Sequence, residues 1–288
     1  MLASKDFTIE ELLIAAMARE IKDGDFIMHG FGIWTPYAAF ALAKKTHAPH
    51  SLLFCCNGFC VTKEPPPMSL IMYEKFAIEN AMQVVGADFM NWIMGPRIFS
   101  QANYIEFFTP AQIDPFGNFN VHLIGSYEKP KVRLPGGGGI SEVLQIYNRL
   151  FYYVPVHEKR VFVPKLDFIS GVGYLNGNLE ERRRAGITGG GPYKVFTNLC
   201  VLGFDESTNR MKIISVHPGV TVDQVKENTG FELLVPHSVP QTTPPSEEDV
   251  KLIRNEIDPF ELRRLESLSG ANRMSLIEQA YFKELGKT

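Results

Sequence analysis

The chain has 288 residues, of which 45% are apolar and 21% charged, with a net charge of −3 at pH 7. Those proportions exclude a disordered or fibrous protein, and the slight acidic balance leaves no basic footprint for nucleic acid. The length exceeds one ordinary α/β domain and falls short of two comfortable ones.

The opening residues have neither a basic n-region nor an apolar h-region, and no apolar run nears the roughly 18 residues of a membrane span. Cys55, Cys56 and Cys60 crowd together while Cys200 stands alone, which is no disulfide framework. A reducing cytoplasm is therefore expected.

Thr8 with Glu11 forms a capping box, and Ile9, Leu12, Leu13, Ala16 and Met17 fall at helical spacing, so the chain opens on a helix that Asp23-Gly24-Asp25 stops. Phe26 to Met28 reads as a short buried strand ending at His29-Gly30, Trp34 to Lys45 as a helix, and Ser51 to Cys56 as the next strand, closed by Asn57-Gly58. Strand, turn, helix, strand is the signature of a parallel sheet. The pattern continues with a short strand at Gln83 to Gly86, a helix at Arg97 to Asn103, and a strand at Tyr104 to Phe108. After the turn Asp114-Pro115-Phe116-Gly117-Asn118, a loop culminates in Gly136-Gly137-Gly138-Gly139, from which a helix enters at Ser141 to Asn148. Strands follow at Phe151–Val156, Asp167–Ser170, Lys194–Thr197, Cys200–Phe204 and Lys212–Val216, with Arg182-Arg183-Arg184 read as a solvated turn. The polar, Pro-rich stretch 236–245 reads as a linker between an α/β domain at 1–240 and a helical extension at 246–288, whose first helix starts at Ser246 and Asp249.

Open α/β sheets bind ligands beyond the carboxyl ends of their strands. Cys56 ends such a strand, and because side chains alternate faces, Cys55 and Cys56 cannot both point inward. A thiol there can act as a nucleophile or lie beside a thioester, while free cysteine is also among the most buried residue types. Cys56 and Cys60 match no zinc spacing well. The four-glycine run lets backbone amides approach a ligand and face an anion or a developing oxyanion, and it lacks both the Walker and the dinucleotide-binding patterns. His29 follows a strand end as Cys56 does and could face the same crevice, as could His217; for both, a structural histidine is the commoner case. Glu64 is the next carboxylate after Cys56 and lies in an extended proline-rich loop, where an exposed surface role is favoured.

Several segments in order then resemble the β subunit of the family I CoA-transferases, in the glutaconate CoA-transferase branch. They are the opening helix with Asp23-Gly24, Leu52–Gly58, the run Ala111-Gln112-Ile113-Asp114-Pro115-Phe116-Gly117-Asn118-Phe119-Asn120, and the loop 136–139. His157-Glu158-Lys159-Arg160, Asn228-Thr229-Gly230-Phe231-Glu232 and Ile253-Arg254-Asn255-Glu256-Ile257-Asp258-Pro259 complete the set.

The resemblance implies a CoA-transferase-like α/β fold with a largely parallel sheet flanked by helices, plus a helical tail. It also implies an α-type partner in an (αβ)2 assembly, and an acyl-CoA substrate with no cofactor beyond its own CoA. In such transferases a glutamate two residues before the strand-end glycine attacks the thioester; counting back from Gly58 lands on Cys56. The expected site is Cys56 as the catalytic position, with His29, Gly58, Gln112, Gly136, Gly137, Gly138 and Gly139 binding substrate.

A cysteine in place of the glutamate disfavours CoA transfer. Two relatives of the same fold lack transferase chemistry: a decarboxylase of 3-methylglutaconyl-CoA, which resembles this chain in that cysteine, and a steroid ring-opening CoA hydrolase. The hydrolase looks similar through Lys159–Val163, Ser170–Tyr174 and Val216–Thr221. A true transferase subunit and a non-catalytic partner subunit are the alternatives.

Overall fold

The computed structural model describes residues 3–30, 33–56, 59–71, 73–86, 103–140, 143–144 and 147–286. By contact the chain divides into two compact units, one of Met1–Ile93, Gln101–Asn103 and Thr243–Thr288, the other of Met94–Ser100 and Tyr104–Thr242.

The first unit begins with α1 (Ile9–Ala18), capped as the sequence predicts: the Thr8 hydroxyl accepts from the Glu11 amide, and the Glu11 carboxylate accepts from the Thr8 amide. α2 (Trp34–Thr46) packs on α1 through buried alanines, Phe40 and Leu42. The strands β1 (Asp25–His29) and β2 (Leu52–Cys55) run parallel, with Phe26 opposite Leu52 and His29 opposite Cys55. β3 (Cys60–Thr62) turns back antiparallel to β2, and β4 (Gln83–Val84) pairs antiparallel with β3 after α3 (Tyr73–Glu79).

The second unit has parallel strands β5 (Asn103–Phe108), β10 (Arg149–Val154) and β11 (Pro192–Thr197), continued antiparallel by β12 (Cys200–Phe204) and β13 (Met211–Val216). One face of β5, β10 and β11 is stacked phenylalanine: Phe107 lies 4.8 Å from Phe151, and both meet Phe196. The other face carries Tyr104 on Tyr147 and Phe119 on Tyr152. Short antiparallel pairs, β6 (Gln112–Ile113) with β7 (Phe119–Asn120) and β8 (Leu123–Gly125) with β9 (Pro130–Arg133), lie outside this sheet. The β6–β7 turn requires Gly117, because φ is +72° there and a Cβ would lie 2.7 Å from Pro192 and 2.8 Å from Phe204.

Two readings of the sequence are corrected. Asp167–Ser170 forms no strand, because Asp167 is engaged by its amide and carboxylate with Gln112, while Ile169 is 55% exposed. Arg182-Arg183-Arg184 is no solvated turn: it ends a helix, α4 (Leu179–Arg184), and Arg182 is buried, donating to the carbonyls of Gly173 and Gly189. The stretch 236–245 carries the unit boundary after Thr242, and it is held there: Val216 and Gln241 form a bridge and the Thr242 amide donates to the Val216 carbonyl. The predicted helix at Arg97 to Asn103 lies outside the described residues, except that Asn103 opens β5.

After α5 (Val222–Glu227), the C-terminal segment returns to the first unit. It carries α6 (Glu247–Leu252), a π turn at Ile253–Ile257, a 3-10 turn at Leu262–Glu266 and α7 (Gly270–Glu284). A buried ion cluster fastens it to α1: Arg263 reaches Glu11 at 3.0 Å and Asp258 at 2.8 Å, and Arg254 reaches Glu11 at 2.7 Å. Burial alone would raise the Glu11 carboxyl, but Arg254, the Thr8 amide and Arg263 together hold it below its ordinary value. No helix among the described residues is long and apolar enough to cross a membrane.

Candidate active site

In the first unit the parallel register brings the carboxyl ends of β1 and β2 side by side, and the Cys56 amide donates to the His29 carbonyl at 3.1 Å. Alternation then separates the two neighbouring cysteines. Cys55 is fully buried and faces Cys60, whose thiol is pushed far above its ordinary value by its hydrogen bond with Cys55 and by burial. Cys56 is half-buried. His29 is buried and its ring lies 5.3 Å from Tyr37; burial lowers its pKa to about 4, so at neutral pH it is an uncharged imidazole. Gly58, the other predicted residue here, lies outside the described residues.

Glu64 is carried away from this end. Leu53 pairs with Thr62, and at about 3.3 Å per residue that places Thr62 roughly 10 Å from the Cys56 end, with the exposed Glu64 beyond it. The carboxylate that follows Cys56 in sequence therefore cannot stand in for it.

In the second unit the glycine loop is pinned at its entry, with the Leu134 amide donating to the His122 carbonyl and the Gly136 amide to the Val121 carbonyl, both at 2.9 Å. It leaves as a helical turn, Ile140 donating to Gly137 and Val143 to Gly139. No described backbone carbonyl accepts from the amides of Gly137, Gly138 or Gly139. Gly137 is required by a neighbour: a Cβ there would lie 2.9 Å from Cε1 of His122.

Gln112 meets this loop through a chain of hydrogen bonds. Its side chain is buried, donating to Asp167 at 3.1 Å and accepting from Asn120 at 2.8 Å. Asn120 accepts from the His122 amide at 2.9 Å, and Ser170 joins Asn120 to the His122 ring, with Oγ 2.6 Å from Nδ1. The structure thus brings together His29 with Cys56 in one unit, and Gln112 with Gly136 to Gly139 in the other.

The sequence does not single out His122, Ser170 or Asp167; the one available signal is that His122 falls two residues after Asn120 in a run already marked as distinctive. Nor does it single out Glu106. This residue lies on β5 with 9% of its surface exposed, and burial raises its carboxyl pKa to about 8. His217, weighed as a candidate, is buried between the Thr197 carbonyl at 2.7 Å and the Thr242 hydroxyl at 2.9 Å, and is a packing residue.

Residues 11–228 match the coenzyme A transferase family, and the chain belongs to it. The B subunit of 3-oxoadipate CoA-transferase from Pseudomonas knackmussii is 34% identical over 86% of this chain and 92% of its own length. The corresponding polypeptide of glutaconate CoA-transferase from Acidaminococcus fermentans is 32% identical over 88% and 94%. The crystal structure of that transferase superposes with a TM-score of 0.79 at 30% identity, covering 92% of this chain and 99% of the other. The cholesterol ring-cleaving hydrolase IpdB subunit of Mycobacterium tuberculosis is 34% identical over 53% of this chain and 59% of its own. The decarboxylase AibA/AibB shares the fold, with a TM-score of 0.75 at 24% identity over 90% and 98%. The chain is thus a β-type CoA-transferase-family subunit, with relatives among both transferases and enzymes that are not.

Proposed function

We propose that this chain is the β-type subunit of a two-subunit acyl-CoA enzyme that breaks a carbon–carbon bond of a CoA-linked carboxylic acid. Its partner is an α-type subunit, in an (αβ)2 assembly, and its only cofactor is the CoA of the substrate. The observation that carries this reading is Cys56 at the carboxyl end of β2, where the resemblance expects the transferase glutamate, with Glu64 removed to the far end of the strand.

The chemistry follows from the residue type. Transfer needs a carboxylate that forms a mixed anhydride with the acyl group and then holds CoA as an enzyme thioester. A thiol attacking the same substrate gives an acyl-cysteine and releases CoA, so it stores no CoA for a second acid. Decarboxylation needs neither. The bond to the leaving carboxylate breaks, its electron pair passes into the conjugated thioester, carbon dioxide departs neutral, and the enolate left behind takes up one proton at carbon from water to give the shortened CoA ester. Uncharged surroundings favour that loss, and the neutral imidazole of His29 supplies one such neighbour. The ring-opening version places a water or a substrate carbonyl in the same space. CoA transfer is the second reading, favoured by the two transferase subunits matched along nearly their whole length.

The test uses the chain co-purified with its α-type partner, glutaconyl- or methylglutaconyl-CoA and excess acetate, with all CoA esters followed by mass spectrometry. A CoA ester lighter by carbon dioxide, formed regardless of acetate, is the expected product. Acetyl-CoA accompanied by free dicarboxylic acid would overturn the reading in favour of transfer.

A further inference from the structure

We propose that His122 is the hydrogen-bond donor that holds the thioester oxygen of the substrate at the glycine loop. The inference rests on the reading of that loop as the acyl-CoA site and adds the residue that completes it.

Three features fix His122 where it stands. Its amide donates to Asn120 Oδ1 at 2.9 Å, its carbonyl accepts from the Leu134 amide at 2.9 Å, and its Nδ1 lies 2.6 Å from Ser170 Oγ. The ring is turned so that its other edge runs along the loop: a Cβ on Gly137 would lie 2.9 Å from Cε1 and 3.5 Å from Nε2, and one on Gly136 would lie 3.9 Å from Nε2. Glycine at 137 is what admits the imidazole to the loop.

The network also sets the tautomer. Ser170 Oγ already accepts from the Val121 amide at 2.8 Å and has one proton of its own to give. Its possible acceptors are His122 Nδ1 at 2.6 Å and Asn120 Oδ1 at 3.4 Å, and Asn120 Oδ1 already receives the amides of His122 and Leu123. Donation to Nδ1 satisfies every group at good distance, whereas the opposite arrangement leaves the serine proton on a long contact. With Nδ1 accepting, the ring N–H is at Nε2, the nitrogen beside the loop, where His122 adds a side-chain donor to the backbone amides of Gly137, Gly138 and Gly139. When a bond conjugated to the thioester breaks, its electron pair moves into the carbonyl and the oxygen becomes anionic. Fixed donors aimed at that oxygen stabilise it without reorganisation.

Two substitutions separate this role from a merely structural one. H122N places an amide where Nδ1 was, keeping a bond to Ser170 and removing the loop-facing donor; H122Q reaches the Nε2 position and keeps the donor. In the enzyme assembled with its partner, H122N is expected to lower kcat on the order of 100- to 1,000-fold, the size of a lost oxyanion donor, with its melting transition retained, and H122Q is expected to stay within about tenfold of wild type. Equal activity of H122N and wild type, or equal losses in both variants, overturns the donor role. Nitrogen-15 shifts of the His122 ring in the full chain give a readout independent of turnover: an Nε2–H imidazole is expected, and an Nδ1–H imidazole overturns the inference whatever the activity. An assembled enzyme inert to every CoA ester overturns the acyl-CoA reading and the inference with it, and the ring shifts tell the two failures apart.

Discussion

Replacing Glu106 by glutamine should stabilise the protein, and by an amount that grows with pH. The carboxyl is buried on β5, with 9% of its surface exposed, and burial raises its pKa from an ordinary 4.5 to about 8. Between those values the unfolded state ionises and the folded state does not, so the unfolded state binds fewer protons and folding stability falls as pH rises. At about 1.4 kcal/mol per unit of difference, the penalty is about 1 kcal/mol at pH 5, about 3 kcal/mol at pH 7 and between about 4 and 5 kcal/mol at pH 8.5. Glutamine has nearly the same shape and no charge to desolvate, so E106Q removes the penalty at every pH. Urea denaturation of wild type and E106Q at pH 5, 7 and 8.5, with the curves extrapolated to water, measures the difference directly. A gap of about 1 kcal/mol at pH 5 that widens toward pH 8.5 is expected. A gap constant across the three pH values would refute the reasoning, since it would show that Glu106 is no more costly to ionise in the folded protein than in the unfolded chain.

Three further predictions test other parts of the fold. Arg263→Ala should cost roughly 3 to 5 kcal/mol, because it strands the buried carboxylates of Glu11 and Asp258; Arg254→Ala, whose side chain is 37% exposed, should cost clearly less, and equal losses in urea titrations would contradict that ranking. Gly137→Ala should destabilise by about 1 to 3 kcal/mol through its collision with His122, and the loss should largely vanish in an H122A background; a double-mutant cycle with no coupling would show that the ring moves aside freely. Of the four cysteines, Cys56 should be the first alkylated in the native chain, since Cys55, Cys60 and Cys200 are fully buried; mass spectrometry finding label on any of those before Cys56 would contradict the placement.

What the sequence makes legible is local. Thr8 and Glu11 announce the start of α1 because a capping box is written in two residues three apart, and the alternation of Cys55 and Cys56 follows from strand geometry alone. The parallel pairing of β1 with β2 follows from the strand–helix–strand order. What stays hidden depends on distant partners. Phe168 and Ile169 look like a strand until Gln112, some fifty residues earlier, claims both the amide and the carboxylate of Asp167. Arg182 reads as a surface charge until the carbonyls of Gly173 and Gly189 are seen to receive it. The glycine run announces a loop built for close approach, but it does not say that an imidazole shares the space, because Ser170 holds that ring from forty-eight residues away. Site residues set by a strand end are therefore legible, and those set by a hydrogen-bond network are not.

Several polar side chains of the second unit are bonded to one another, and that decides how each can act at the proposed site. Gln112 donates to Asp167 and accepts from Asn120, so its amide is committed and its effect on a ligand runs through the order it imposes on Asn120 and Ser170. A Gln112→Leu change should therefore act as a positioning defect. It leaves the Asn120 amide with only the Leu123 carbonyl and the Asp167 carboxylate with only the Gly125 amide, loosens the support of the His122 ring, and on the proposed reading lowers kcat while leaving KM for the acyl-CoA nearly unchanged, because the loop amides are untouched. Gln112→Glu gives the complementary case. It keeps the acceptor for Asn120 and sets a second carboxylate against Asp167, whose oxygen lies 3.1 Å from the amide nitrogen it replaces, so the new side chain should take up a proton and the defect should deepen as pH rises. A rise in KM without loss of kcat in the leucine variant would mean that Gln112 contacts the substrate itself, and the chain from Gln112 to His122 would then be the wrong account of the site.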